Sequence, residues 1–202
     1  FLIQGLIDLY ETTHDSQYVK KALKLSEDLI QLFWDDENGG LYLYGSDGEQ
    51  LITRPKEIYD GAIPSGNSVM ALNLIRLSRI TGKFELEEKS NKILQTFSAS
   101  IISQPISYSY SLIALMFNLS TSQEIIIVSE NEEEAKPFIE IINDEFRPFT
   151  VSLLYKIGDE QLLDSAPFVN FYIESYKSLN KKALAYVCEN HSCKAPVSDY
   201  ND

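Results

Sequence analysis

The stretch "RPKEIYDGAIPSGNS", residues 54–68, gathers seven side chains able to bind a ligand or move a proton: Arg54, Lys56, Glu57, Tyr59, Asp60, Ser65 and Asn67. Glu57 and Asp60 are the candidate catalytic groups, because a carboxyl whose pKa is raised by burial serves as a general acid or base. Arg54, Tyr59, Ser65 and Asn67 are the candidate ligand-binding groups, since aromatic rings stack on sugar faces and polar side chains bond sugar hydroxyls. A hydrolase would need a second carboxylate at a set distance across the scissile bond. Asp35, Asp36 and Glu37 are available for that role, although a solvated acidic turn ahead of Gly39 is the simpler account of them. Pro64 and Gly66 fix a turn, and Ser65 or Asn67 can cap the helix that follows. Neither the turn nor the cap requires Tyr59 or Asp60.

A second cluster, "CENHSC", holds Cys188 and Cys193 with four residues between them, His191 among these. Three readings are open: a buried Cys188 with an incidental Cys193, a redox pair, or part of a zinc site lacking a fourth ligand. His14, the other histidine, falls in a connection between helices and is expected at the surface. Ser65 lies in P-S-G rather than G-x-S-x-G, and no glycine-rich phosphate cradle is present, so neither a serine hydrolase nor a nucleotide site is indicated. No cofactor and no metal set is implied.

The elements that must position these groups follow from hydrophobic spacing. Leu2, Ile3, Leu6, Ile7 and Tyr10 form one helical stripe, and Tyr18, Val19, Ala22, Leu23, Leu29, Ile30 and Phe33 form another, with Asp15 placed to cap the second helix. Residues 33–57 carry four glycines and the run Leu41–Tyr44, which predicts a structured loop or a short β-hairpin near residues 40–54. Further helices are expected from Ser65 to a stop at Gly82, from Phe84 through Ile101, and over residues 107–119 after Pro105. From residue 122 the pattern changes: "EIIIV" reads as a buried strand, "NEEEAKPFIEIINDEF" as a helix, and "FTVSLLY" and "ALAYVC" as two more strands. Strand, helix and strand in that order predict a parallel crossover unit. The chain is thus expected to be mainly α over 1–120, with a small α/β appendage over 121–202.

With 30 acidic and 17 basic side chains among 202 residues, the formal net charge is −13. Such a surface repels phosphate backbones and anionic lipids, so nucleic acid and membranes are poor partners and a neutral or cationic ligand is favoured. No apolar run reaches membrane-spanning length and no signal peptide opens the sequence, which together with the two cysteines predicts a cytoplasmic protein. Phe1 has no Met before it and the helical stripe is already running at Leu2, so the sequence is expected to be a piece of a longer chain.

"FWDDENGGLYLY", "LITRPKEIYDGAIPSGNSVMALNLIRLSRITG" and "AYVCENHSCKAPV", in that order, resemble the C-terminal region of the YyaL-type thioredoxin-domain-containing proteins, the spermatogenesis-associated protein family. The resemblance implies a partial (α/α) six-hairpin toroid, similar to the barrels of six-hairpin glycosidases and N-acylglucosamine 2-epimerases, with the 54–68 loop at its mouth. It implies a carbohydrate ligand. It also suggests an alternative, a non-catalytic module docking the family's N-terminal thioredoxin-like domain, with Cys188 and Cys193 as redox partners. Epimerases of this class use histidines, which this sequence does not place near the mouth. About five helices cannot close a twelve-helix barrel, so exposed helix faces and self-association are expected.

Overall fold

In the computed structural model, which describes residues 1–49, 52–189 and 192–199, the chain is mainly helical with a small mixed sheet. Helix α1 (Leu2–Thr13) buries Ile3, Leu6, Ile7 and Tyr10 of the expected stripe, while Leu2 at its first position is exposed. It ends at His14, whose left-handed backbone (φ 51°) turns the chain within two residues. Asp15 then caps α2 (Ser16–Phe33), its carboxylate accepting the Gln17 N–H at 3.0 Å.

Residues 34–56 form a loop held by two isolated bridges, Trp34 to Leu41 and Tyr42 to Lys56, with no strand ladder among the described residues. Of the two expectations for this stretch, the described residues show a structured loop rather than a hairpin ladder, and Gln50 and Leu51 lie outside the described residues. A physical reason is visible at Leu41, whose backbone N–H and C=O both bond the Asn67 amide, at 2.7 and 2.9 Å. A side chain thus takes the place of a neighbouring strand.

Helix α3 (Gly66–Thr81) starts at the Ser65 cap and stops at left-handed Gly82 (φ 71°). Thirteen of its 16 residues are buried, as befits a helix surrounded on all sides. It packs against α1, against α4 (Phe84–Thr96) and across the sheet. The helix expected to run through Ile101 instead breaks at Phe97 and resumes as α5 (Ser98–Ser103). Pro105 opens a 3₁₀ turn, Pro105–Tyr108, that leads into α6 (Ser109–Leu119), also packed on α3.

The α/β part runs β1 (Gln123–Ser129), α7 (Glu132–Asp144), β2 (Thr150–Lys156), α8 (Glu160–Ser165), α9 (Val169–Leu179), β3 (Ala183–Glu189) and β4 (Ser192–Cys193). Strand order is β2-β1-β3-β4; β1 and β2 are parallel across α7, while β3 is antiparallel to β1. Both faces of β1 are buried, which explains its unbroken apolar run. Ile126 and Val128 join the same core as α1, α2 and α3, whereas Ile125 and Ile127 pack under Ala135 and Phe138 of α7. The change of architecture after Leu119 is accordingly not a break in the core. Among the described residues, no helix is long and apolar enough to cross a membrane.

Candidate functional site

The 54–68 loop consists mostly of polar groups already bonded to backbone. Asp60 Oδ1 accepts the Ser65 N–H at 2.9 Å, and Oδ2 accepts the N–H groups of Tyr110 at 2.8 Å and Ser111 at 3.4 Å. Its own N–H bonds the Ser107 carbonyl at 2.9 Å. Asp60 therefore satisfies the first turn of α6 from 50 residues away. Arg54 donates to the carbonyls of Leu32 and Tyr44, with its guanidinium 4.0 Å from the Tyr42 ring centre. Ser65 accepts from the Ser68 N–H at 3.0 Å, and its hydroxyl begins a buried chain through Ser68 to Ser111, 2.8 Å per step. Tyr59 is 55% exposed and meets Tyr108 edge to face.

Asp35 is not part of a solvated turn, as expected for all three acids, but is only 5% exposed. Lys56 Nζ lies 2.5 Å from its carboxylate, and the N–H groups of Glu37 and Asn38 add bonds at 3.0 and 3.2 Å. The Lys56 hydrogen bond, helped by these N–H donors and outweighing desolvation, holds the carboxyl well below the usual range. Asp36 and Glu37 are exposed.

Beneath the loop lies a cleft of about 220 Å³, and here two of the candidate residues come together. Glu57, exposed, and Asn67, buried, line it with Phe33, Tyr42, Met70 and Asn73. Arg54, Tyr59, Asp60 and Ser65 are not on its wall. Asn67 is spent on Leu41 and on the Glu57 carbonyl at 2.8 Å. Asn73 is different: it is 1% exposed and its Oδ1 has no hydrogen-bond partner. Sequence reading passed it over because it sits amid an apolar helix; an amide at a core-facing position was the available signal.

His14 is a correction. Expected at the surface, it is 3% exposed, with Nε2 3.2 Å from the Ser152 hydroxyl on β2. Burial, aided by the charge of Lys156, lowers its pKa to about 4, so it is neutral near pH 7. Cys188 and Cys193 are register partners on β3 and β4, and their sulfurs are joined in a disulfide. His191 lies outside the described residues, and among those described no group of His, Cys, Asp and Glu is arranged to hold a metal ion.

No family model matches the chain. Its sequence is 32% identical over 202 residues to spermatogenesis-associated protein 20 of Homo sapiens, covering 98% of this chain and 25% of that protein. The Rattus norvegicus protein of the same name is 30% identical with the same coverage. An uncharacterized protein of Caenorhabditis elegans is 28% identical over 200 residues. Homologues of the chain are thus spermatogenesis-associated protein 20 sequences, and the chain spans about a quarter of the length of the curated relatives it matches.

Proposed function

We propose that the chain is the ligand-binding part of a glycosidase-like helical barrel, and that the cleft between the 41–43 segment and α3 takes a neutral, polyhydroxylated ligand. The observation that carries this reading is that Asn73 lines the cleft and that its buried Oδ1 has no hydrogen-bond partner. A buried acceptor without a donor costs free energy that a ligand hydroxyl would recover. Glu57 supplies a charged acceptor on the same wall, and Phe33 and Tyr42 supply ring carbon. At about 220 Å³ the cleft is smaller than the roughly 300–1,000 Å³ of drug-sized sites, which limits the occupant to about one sugar ring. Glu57 is the one carboxylate on that wall among the described residues, whereas hydrolysis by the common routes needs two. Binding is therefore the primary reading, and Glu57 acts as an acid only if a second carboxylate comes from elsewhere.

The test is a panel of neutral sugars screened by thermal shift. A sugar that binds the native state raises the midpoint, and the rise disappears in Asn73→Leu and shrinks in Glu57→Gln. A panel in which no sugar moves the wild-type midpoint sinks the proposal.

The alternative, an interaction module, is favoured by one observation. Ile102, 77% exposed, lines a groove of about 630 Å³ between α4, α5 and α6, and Ile106 of the 3₁₀ turn and Leu119 at the end of α6 are 85% and 76% exposed. A second copy of this acidic chain docking there would be held by apolar burial and opposed by charge, so its dimer fraction rises with ionic strength. Sedimentation at micromolar concentration in low and high salt checks this, and a monomer under both conditions removes self-association through this face.

A further inference from the structure

The two sulfurs of the Cys188–Cys193 disulfide occupy different surroundings. Cys188, on β3, is 3% exposed and belongs to the main core, whereas Cys193, on the short β4, is exposed. Both line a cleft of about 190 Å³, whose facing walls carry Arg79, Glu124, Phe168 and Tyr172. The Tyr172 hydroxyl lies 3.4 Å from Cys188 Sγ and 3.1 Å from Cys193 Sγ. Sulfurs bonded to each other carry no proton, so the phenol is the donor in both contacts. Burial raises the Tyr172 pKa and the nearby charge of Glu124 adds to that, so the hydroxyl keeps its proton.

We infer that this cleft is a thiol–disulfide exchange site with a built-in polarity: an external thiolate attacks Cys193, and Cys188 is the leaving sulfur, received by the Tyr172 hydroxyl. The incoming sulfur bonds to Cys193 Sγ, the bond between Cys193 and Cys188 breaks, and its electron pair stays on Cys188 Sγ as a thiolate. That thiolate accepts the Tyr172 O–H, a charge-assisted hydrogen bond stronger than the one the neutral disulfide accepts. A second external thiolate then attacks the outer sulfur of the mixed disulfide and releases Cys193. The external pair leaves as a disulfide, the protein's sulfurs are reduced, and solvent supplies the protons they take up. Attack in the opposite sense is blocked, because Cys188 is packed against the core while Cys193 is open to solvent. Exchange of this kind depends on access to the attacked sulfur and on how well the leaving thiolate is stabilised, and the two cysteines divide those requirements between them. The inference is independent of the ligand cleft at Asn73.

The experiment equilibrates the folded chain with glutathione disulfide, then with graded reduced glutathione or, in a parallel arm, with a protein dithiol of the thioredoxin type. After acid quenching and alkylation, peptide mass spectrometry locates each adduct. The expected result is a mixed disulfide on Cys193 with the alkyl group on Cys188, in one arm or both, and the faster arm identifies the source of the thiol. Tyr172→Phe keeps the melting curve and lowers the equilibrium fraction of mixed disulfide about three- to tenfold, the size of the difference between a hydrogen bond to a thiolate and one to the neutral disulfide. Cys193→Ser leaves Cys188 without adduct. Adducts on Cys188, no adduct in either arm below the unfolding midpoint, failure of the pair to oxidise, or an unchanged fraction in Tyr172→Phe each overturn the proposal.

Discussion

The loop before α3 and α3 itself each hold a polar side chain whose bonding can be compared, Asp60 in a polar loop and Asn73 amid an apolar helix. Asp60 has every oxygen engaged, by three backbone N–H groups drawn from the start of α3 and the start of α6. Asn73 is more deeply buried, yet its Oδ1 has no partner, and the residue lines a cleft. A fully bonded carboxylate contributes by tying two helix starts together and has little left to offer a ligand. An unbonded amide oxygen contributes no hydrogen bond to the fold, which is why the proposed recognition rests on it. Density of polar residues in the sequence marked the first, and only the geometry marked the second.

The largest expected effect tests the structural side of this contrast. Asp60→Ala strands the N–H groups of Ser65, Tyr110 and Ser111, and is expected to cost about 3–4 kcal/mol, the range for losing a cap together with charge-assisted bonds. In a chain of this size that lowers the melting midpoint by roughly 6–16 °C. A loss under about 0.5 kcal/mol by urea titration would erase the distinction, since a surface residue behaves that way.

His14 stands between the two cases, buried with a single hydroxyl contact, and its test is pH. Its pKa falls from the ordinary 6.5 to about 4 in the folded chain, through burial first and the charge of Lys156 second, with Glu132 opposing. Between those values the unfolded chain binds more protons than the folded one, so stability is complete above about pH 6.5 and drains away as pH falls toward 4. The loss is of the order of 2 kcal/mol once some relaxation around the charged ring is allowed. Urea titrations at pH 7.5 and 4.5 check it, and His14→Asn is expected to flatten the difference; an equally steep wild type and variant would assign the loss to other groups.

How far these roles can be read from sequence depends on how local their partners are. The Asp15 and Ser65 caps and the Gly82 stop were legible because each bond closes within a few residues. The buried strand at 123–129 was legible from its continuous apolar run. Asp60 was not, since the N–H groups it serves are 50 residues away and nothing in "IYDGAIP" announces them. His14 reads as a turn residue, and is one, but β2 lies over it, a contact spanning 138 residues. Helices α8 and α9 were overlooked although Val169, Tyr172, Ile173 and Tyr176 have helical spacing, because Pro167 and the polar flanks make the segment look like a connection. Glu57 and Asn67 were singled out in advance and do share a cleft wall, while Tyr59 and Asp60 lie elsewhere.

The smallest effect on stability is the most informative. Asn73→Leu replaces the amide by an apolar group of the same branched shape, deleting an acceptor that has no donor to lose. Removing an unpaired buried polar atom relieves a cost, while any bond made by the amide nitrogen is forfeited, so the expected net change is a gain of about 0.5–1 kcal/mol. Enzymes and binding proteins hold groups that weaken the fold where a ligand needs them. A variant that is slightly more stable yet deaf to every sugar that shifts the wild type would place Asn73 in that class. A variant destabilised by more than about 2 kcal/mol would instead show that the oxygen has a water partner the fold depends on, as Asp60 has its backbone donors, and the contrast between the two residues would collapse.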